Sequence, residues 1–294
     1  MKLQGILVPV ATPFDHRGDL YVSKVHYNFS RWNRTHLAGY IVGSSCGESR
    51  MLSLDEKRTL WEEAARASDG EKLLLAGVSA DGVRETVRAI DCAQALGYKA
   101  AVVEPPQYPR PWVEGAQAQA TYFRAVADQA KMPLVIFNPR AGAAVRLSAE
   151  TVLSLSKHPG IAGVIDASAN EDSIRRLVEQ AGDGFAVLCG EDTLLHAGLA
   201  AGAAGAVPAL ANAAPFFCLS IGEAVRTREL ASAAELQERA RAAAEAVTTQ
   251  YGIAGLKYAM DLRGYYGGNP RLPLLPLSGD ARERIAAAFA GINS

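Results

Sequence analysis

Short apolar runs closed by turn residues recur along the first two thirds of the chain, each followed by a longer stretch with apolar positions three to four apart. That alternation predicts repeated strand–helix units. The runs are ILVPVATPF (6–14), GYIVGSS (39–45), LLLAGVSA (73–80), AAVVEPP (100–106), LVIFNPR (134–140), IAGVIDAS (161–168), FAVLCGED (185–192) and AGAVPALAN (204–212). Near-continuous apolar strands are those of a parallel sheet covered by helices, and eight such units predict closure into an α/β fold, a (β/α)8 TIM barrel. A doubly wound open sheet is the alternative, but no GxGxxG turn follows the first strand. Past residue 214 the pattern becomes Ala-rich helix with no further strand signal. The expected organisation is a barrel over 1–214 and a C-terminal helical extension over 215–294 packed on it. Within the extension, GYYGGNPRLPLLPLSGD (264–280) reads as an ordered loop whose leucines need burial.

At 294 residues, 49% hydrophobic and 21% charged, the chain has the composition of an ordinary globular protein rather than a disordered one. A formal net charge of -1 without a basic cluster leaves no electrostatic footprint for nucleic acid or an anionic membrane. The apolar run at the N-terminus is too short for a membrane span and lacks a signal-like cleavage pattern. Cys46, Cys92, Cys189 and Cys218 are scattered without a CxxC pair, which argues for a reducing cytoplasm and against a zinc knuckle. The partner expected is a small molecule.

In such a barrel the active site gathers where the strands end, so the candidates are Thr12, residues 44–48, Ser79, residues 104–108, 137–140, 166–168, 190–192 and 209–212. The turn Ser44-Ser45-Cys46-Gly47-Glu48 is rich in hydroxyls and small residues, and its backbone N–H groups can wrap a carboxylate or phosphate; it also fits a plain strand-to-helix loop. Cys46 has no neighbouring histidine or lysine in sequence and reads as an inert thiol. Glu48, Asp166, Glu191 and Asp192 could converge on a metal, but no paired-histidine spacing supports one, and neither metal nor cofactor is expected. None of the five histidines ends a strand, which disfavours a histidine general base.

These segments resemble the dihydrodipicolinate synthase / N-acetylneuraminate lyase family over nearly the whole chain. The opening GILVPVATPF, the Gly47-Glu48 turn, GEDTLLHAGLAAGAAGAVPALANAAP and GGNPRLPLLPLS each match a family segment, in order. The resemblance implies a site for 2-oxo acids, in which a lysine at the end of strand six forms an imine and a strand-five tyrosine transfers protons. Here the sixth strand reads Gly163-Val164-Ile165-Asp166-Ala167-Ser168, so Ile165 stands at the lysine position; Phe137-Asn138 stands for the family's Tyr-Asn. No lysine lies between Gly160 and Gly182. Lys2, Lys72, Lys99, Lys131 and Lys157 precede strands and belong at the opposite end, a strand length of roughly 17–20 Å away.

The resemblance sets Ser45 on a proton-relay hydroxyl and Cys46 on the family's second threonine. Tyr108, or by a one-residue shift Gln107, falls in a loop whose family tyrosine enters a neighbouring subunit's site. The expectation is therefore a lyase or hydro-lyase working without an imine on a 2-oxo acid or similar carboxylated molecule. Ser45, Tyr108 and Asp166 would move protons, with Glu48 as a further carboxylate for that work, while Ser44, Ser45, Cys46, Gly47, Glu48, Asn138, Arg140, Gly190, Glu191 and Ala209 would hold the substrate. The alternative is a catalytically inactive paralogue that binds a metabolite or regulates an active relative. Family habit implies a homo-oligomer, dimer or tetramer.

Overall fold

The computed structural model of the chain describes residues 1–140 and 145–292. Among these residues, β1 (Gly5–Val10), β2 (Gly39–Val42), β3 (Leu73–Gly77), β4 (Ala100–Val103), β5 (Leu134–Asn138), β6 (Ile161–Asp166), β7 (Ala186–Cys189) and β8 (Gly205–Ala206) pair in parallel and in order, and β8 returns to β1. The expected TIM barrel is present. Closure depends on a close backbone approach at the seam: a Cβ on Gly205 would lie 2.2 Å from the Gly5 carbonyl oxygen, so only glycine fits.

Helices α1 (Val22–Trp32), α2 (Leu54–Ala67), α3 (Val83–Ala95), α4 (Arg110–Val113), α5 (Ala116–Gln129), α6 (Ala149–Leu155), α7 (Glu171–Gln180) and α8 (Leu195–Ala200) lie in the connections between strands. Then follow α9 (Pro215–Arg226), α10 (Leu230–Glu245), α11 (Gly252–Leu262) and α12 (Gly279–Phe289), with a π-helical turn over Ala246–Gln250. Because α9 packs on β1 and α8, it covers the barrel wall as the outer helix of the eighth unit.

Strand alternation divides the core in two. Leu7, Ile41, Leu75, Val102, Val135, Ile165 and Leu188, one from each of β1 to β7, fill the barrel interior with Val207, which directly follows β8. Their neighbours in sequence, such as Val8, Tyr40, Val42, Ala101, Val103, Ile136 and Val164, face the helices and join the larger outer cluster. Complete burial of such a side chain contributes on the order of 1.5–3 kcal/mol, so the two layers dominate the stability.

Two expectations change. The eighth strand ends at Ala206 rather than running to residue 212: Pro208 has no N–H to give a ladder, and the Asp192 carboxylate takes the N–H groups of Ala209 (3.0 Å) and Leu210 (2.7 Å), drawing them into a 3-10 turn. The C-terminal loop is ordered, but not through all its leucines, since Leu272 and Leu275 are 73% and 71% exposed. It is held instead by Arg271, whose guanidinium donates to the Gly18 and Met51 carbonyls and meets Glu56 at 2.6 Å. Among the described residues no helix is long and apolar enough to cross a membrane.

Candidate functional site

A cavity of about 420 Å3 opens at the carboxyl ends of the strands. Ile41, Val102, Phe137, Ile165 and Val207 make its floor, and Val247, Thr248, Ile253 and Leu256, from the π-helical turn and α11, close one side. Gly190 is shaped to this floor: a Cβ there would lie 2.8 Å from Cγ2 of Ile165 and 3.0 Å from Cβ of Ala167. The register pairs Phe137 directly with Ile165, and Asn138 with Asp166.

Counting two residues on from each interior residue gives the next inward-facing layer: Pro9, Gly43, Gly77, Glu104, Phe137, Ala167, Gly190 and Ala209. Glu104 is the single ionisable member. Its side chain is 12% exposed and its Oε2 accepts from Nε of Arg50 at 3.4 Å; Arg50 also faces Asp81, Nη1 to Oδ1 3.5 Å. Burial pushes the Glu104 carboxyl above the usual carboxylate range, against the opposing pull of Arg50 and then of Lys57. Arg50 reaches the site from a 3-10 turn, Ser49–Met51, that follows Glu48. Neither Arg50 nor Glu104 stands out by motif; the parity of β4 singles out Glu104, two residues beyond Val102.

Of the residues expected to hold substrate, Ser44, Ser45, Cys46, Arg140, Gly190, Glu191 and Ala209 line the cavity. The Oγ of Ser44 and Nη1 of Arg140 are buried with no hydrogen-bond partner among the described residues, and Nη1 lies 3.7 Å from Oε1 of Glu191. Unpaired buried donors cost free energy unless something accepts from them, so this wall is set up for an anionic oxygen. Burial pushes the Cys46 thiol up to about 12, which keeps it protonated and inert.

The other expected residues serve different ends. Glu48, held at φ 57 beside the close-packed Gly47, turns away from the cavity. Its Oε1 pairs with Nζ of Lys257 at 2.6 Å, with both side chains fully buried, and its Oε2 accepts from the Arg271 N–H at 2.8 Å. Gly47 gives its carbonyl to the Thr12 hydroxyl at 2.6 Å, and a Cβ on it would strike the Val10 carbonyl oxygen at 2.8 Å. Asp166 follows inward-facing Ile165 and so points outward; its carboxylate accepts from the Ser168 N–H (3.0 Å), Asn138 (3.3 Å) and the Ser173 hydroxyl (2.8 Å). Asn138, outward by the same parity, exchanges hydrogen bonds with the Leu147 backbone. Tyr108 is 76% exposed and lies outside the cavity, while Gln107 is occupied by Val145 N and the Pro105 carbonyl. Among the described residues the acidic side chains form no metal-sized cluster.

Asp192, in the sequence a strand-end carboxylate and a candidate metal ligand, lines the cavity. Burial pushes its carboxyl up to about 7, with two backbone N–H bonds opposing and the charge of Glu191 adding to the rise.

The fold and the cavity give a barrel-mouth pocket with an apolar floor and, in its wall, buried donors that no described residue satisfies. The chain belongs to the dihydrodipicolinate synthetase family, whose model matches residues 2–291. It is 33% identical over 297 residues to the 4-hydroxy-tetrahydrodipicolinate synthase of Xanthomonas axonopodis pv. citri, covering 98% of this chain and 95% of that one. It is 28% identical over 289 residues to the enzyme of that name from an Exiguobacterium species, covering 98% of both. In fold it is similar to dihydrodipicolinate synthase from Bacillus anthracis, with a TM-score of 0.93, 23% identity and both chains covered completely.

Proposed function

We propose that the barrel-mouth cavity binds a 2-oxo acid or closely similar carboxylate and acts on it as a lyase or hydro-lyase without a covalent imine. The observation that carries this reading is the pairing, in one cavity, of donors on Ser44 and Arg140 that have no hydrogen-bond partner among the described residues with a floor made by Ile165 and Phe137. The donors suit a carboxylate; the floor offers no amine where the family resemblance sets one, and no phenol beside it. Of the buried lysines, Lys257 is ion-paired with Glu48, and neither it nor Lys57 lines the cavity. An imine requires an amine that reaches the carbonyl carbon, so the chemistry left to the site is proton transfer and electrostatic stabilisation of a developing enolate.

Family membership and the synthase names of the relatives support a lyase of the 2-oxo acid class. A catalytically silent, metabolite-binding paralogue is the competing reading, favoured by the direct register of Phe137 on Ile165, two apolar residues where the resemblance implies two chemical ones. We also take the working form to be a cytoplasmic dimer or tetramer. Tyr108 and Trp112, 76% and 74% exposed around α4, are the surface we expect a second copy to cover.

Intact mass after incubation with pyruvate and borohydride tests the central point. The wild-type protein should carry no adduct, and Ile165→Lys should gain the mass of one reduced pyruvate. A wild-type adduct, mapped to Lys57 or Lys257, would overturn the reading.

A further inference from the structure

The floor leaves open which group moves a proton, because the phenol and amine expected from the family resemblance are both replaced and Asp166 faces outward. Geometry narrows the choice. Glu104 is the one ionisable side chain in the inward-facing layer above the interior, and it lines the cavity. Val103 pairs with Ile136 at the end of the β4–β5 ladder; Glu104 and Phe137 are the next residues along the two segments and both line the cavity, and Phe137 in turn pairs with Ile165. A carboxylate thus sits one strand over from the position of the missing hydroxyl.

Its surroundings fix it in place. The charged and titratable groups around it are Arg50 from the turn after Glu48, Lys57 from α2, Asp81 from the loop after β3, Tyr122 from α5, and Cys46. Arg50 bridges Glu104 and Asp81, and Asp81 is itself tied down by the Gln107 N–H at 2.6 Å. The Glu104 backbone N–H donates to the Ser79 hydroxyl at 2.9 Å.

We propose that Glu104 is the proton carrier of the cavity, taking a proton from C3 of a bound 2-oxo acid and returning one to it. This rests on the reading of the cavity as a 2-oxo acid site. In the forward step the carboxylate accepts the C3 proton and the C–H electron pair becomes the C2=C3 double bond. The carbonyl pair moves onto oxygen, leaving an enolate to which the Ser45 hydroxyl donates a hydrogen bond. In the reverse step the protonated Glu104 gives its proton back to C3. Between the two, the carboxylic proton exchanges with water. A carboxyl whose basicity is raised by burial, with Arg50 and Lys57 opposing the rise, is a better base than an ordinary carboxylate and can still return the proton.

The test is the disappearance of the pyruvate methyl signal by proton NMR in D2O, with saturation-transfer difference on the same samples to read binding. The wild-type protein should speed methyl deuteration well above the protein-free rate. Glu104→Gln, nearly isosteric, should lose about 10²- to 10⁴-fold of that acceleration while still binding pyruvate. Exchange by Glu104→Gln at the wild-type rate overturns the proposal. So does a wild-type protein that binds pyruvate without speeding exchange, which leaves the 2-oxo acid reading standing; loss of binding as well takes that reading down too. If Glu104→Gln does not fold, Glu104→Asp decides: exchange, which in the wild type should rise with pD through one titration and level off, should have a lower plateau when the carboxyl is drawn back while pyruvate still binds, and an unchanged plateau overturns the assignment.

Discussion

The turn after β2 and the end of β4 each deliver one glutamate that meets a cation from elsewhere in the chain, yet the two carboxylates are used in opposite ways. Glu48 is turned out of the cavity by a left-handed backbone, φ 57, and spends its carboxylate on Lys257 and on the Arg271 N–H, so it clamps the C-terminal segment to the barrel. Glu104 follows the strand's own alternation inward and keeps its carboxylate at the cavity wall, itself largely buried, with the partly exposed Arg50 at 3.4 Å. The difference teaches that a carboxylate near a strand end is structural or chemical according to which face the backbone gives it, not according to the motif around it.

The comparison breaks most sharply at Glu48. Replacing it with alanine strands a fully buried ammonium, a change that typically costs 3–5 kcal/mol, about the stability margin of many domains. Lys257→Met should cost a similar amount, and the double replacement Glu48→Gln with Lys257→Met should recover much of the loss. Urea denaturation read by circular dichroism measures all three. Glu104→Gln in the same assay should stay within about 1 kcal/mol of wild type, because its pair with Arg50 is partly solvated. Equal losses at the two positions would erase the distinction.

Much of this could be read before any coordinates. Eight apolar runs, each leading into a helical period, specify the barrel because the two periodicities alone dictate which residues face inward. The hydroxyl turn and Arg140 were legible by composition and place as residues at the barrel mouth, where they line the cavity. Asp166 and Asn138 were not read correctly, although the signal was there: both follow an inward-facing residue, so strand parity sends them toward the helices. The fate of Glu48 could not be seen in the same way, since its partners Lys257 and Arg271 lie more than two hundred residues away in sequence. Glu104 lay within the strand-end candidates but carried no motif; counting by twos from Val102 finds it. The short β8 depends on Asp192 reaching across to Ala209 and Leu210, a tertiary contact that local propensity does not encode.

Asp192 extends the comparison to a third case, a carboxylate spent on structure with backbone N–H groups in place of a cation. Its carboxyl is pushed up to about 7 from an ordinary value of 3.8, so the folded chain holds that proton more tightly than the unfolded one. The resulting stabilisation is fully present below about pH 4 and is lost as pH rises through about 7, at up to 1.4 kcal/mol per pH unit and up to about 4 kcal/mol in all. Urea midpoints between pH 5 and 8 should therefore fall more steeply for the wild type than for Asp192→Asn, whatever the absolute cost of the replacement. Parallel slopes would mean that the two N–H bonds outweigh burial and keep Asp192 ionised.

The smallest effect on stability separates the two glutamates most finely. Arg50 is 39% exposed, so Arg50→Met should change the unfolding free energy by less than about 1 kcal/mol, within the range of solvated pairs. Its effect on Glu104 is of another kind. Arg50 is the largest influence lowering the Glu104 carboxyl against the rise due to burial, by its charge and by its hydrogen bond. Without it the carboxyl titrates higher, and the rising limb of the pyruvate deuteration profile should move to higher pD while the plateau is kept. A structural role for Arg50 would lower the rate at every pD and leave the limb where it was. A displaced limb in a protein of unchanged stability is what a positioning residue for a proton carrier produces, and no change around Glu48 should reproduce it, because that carboxylate never faces the cavity.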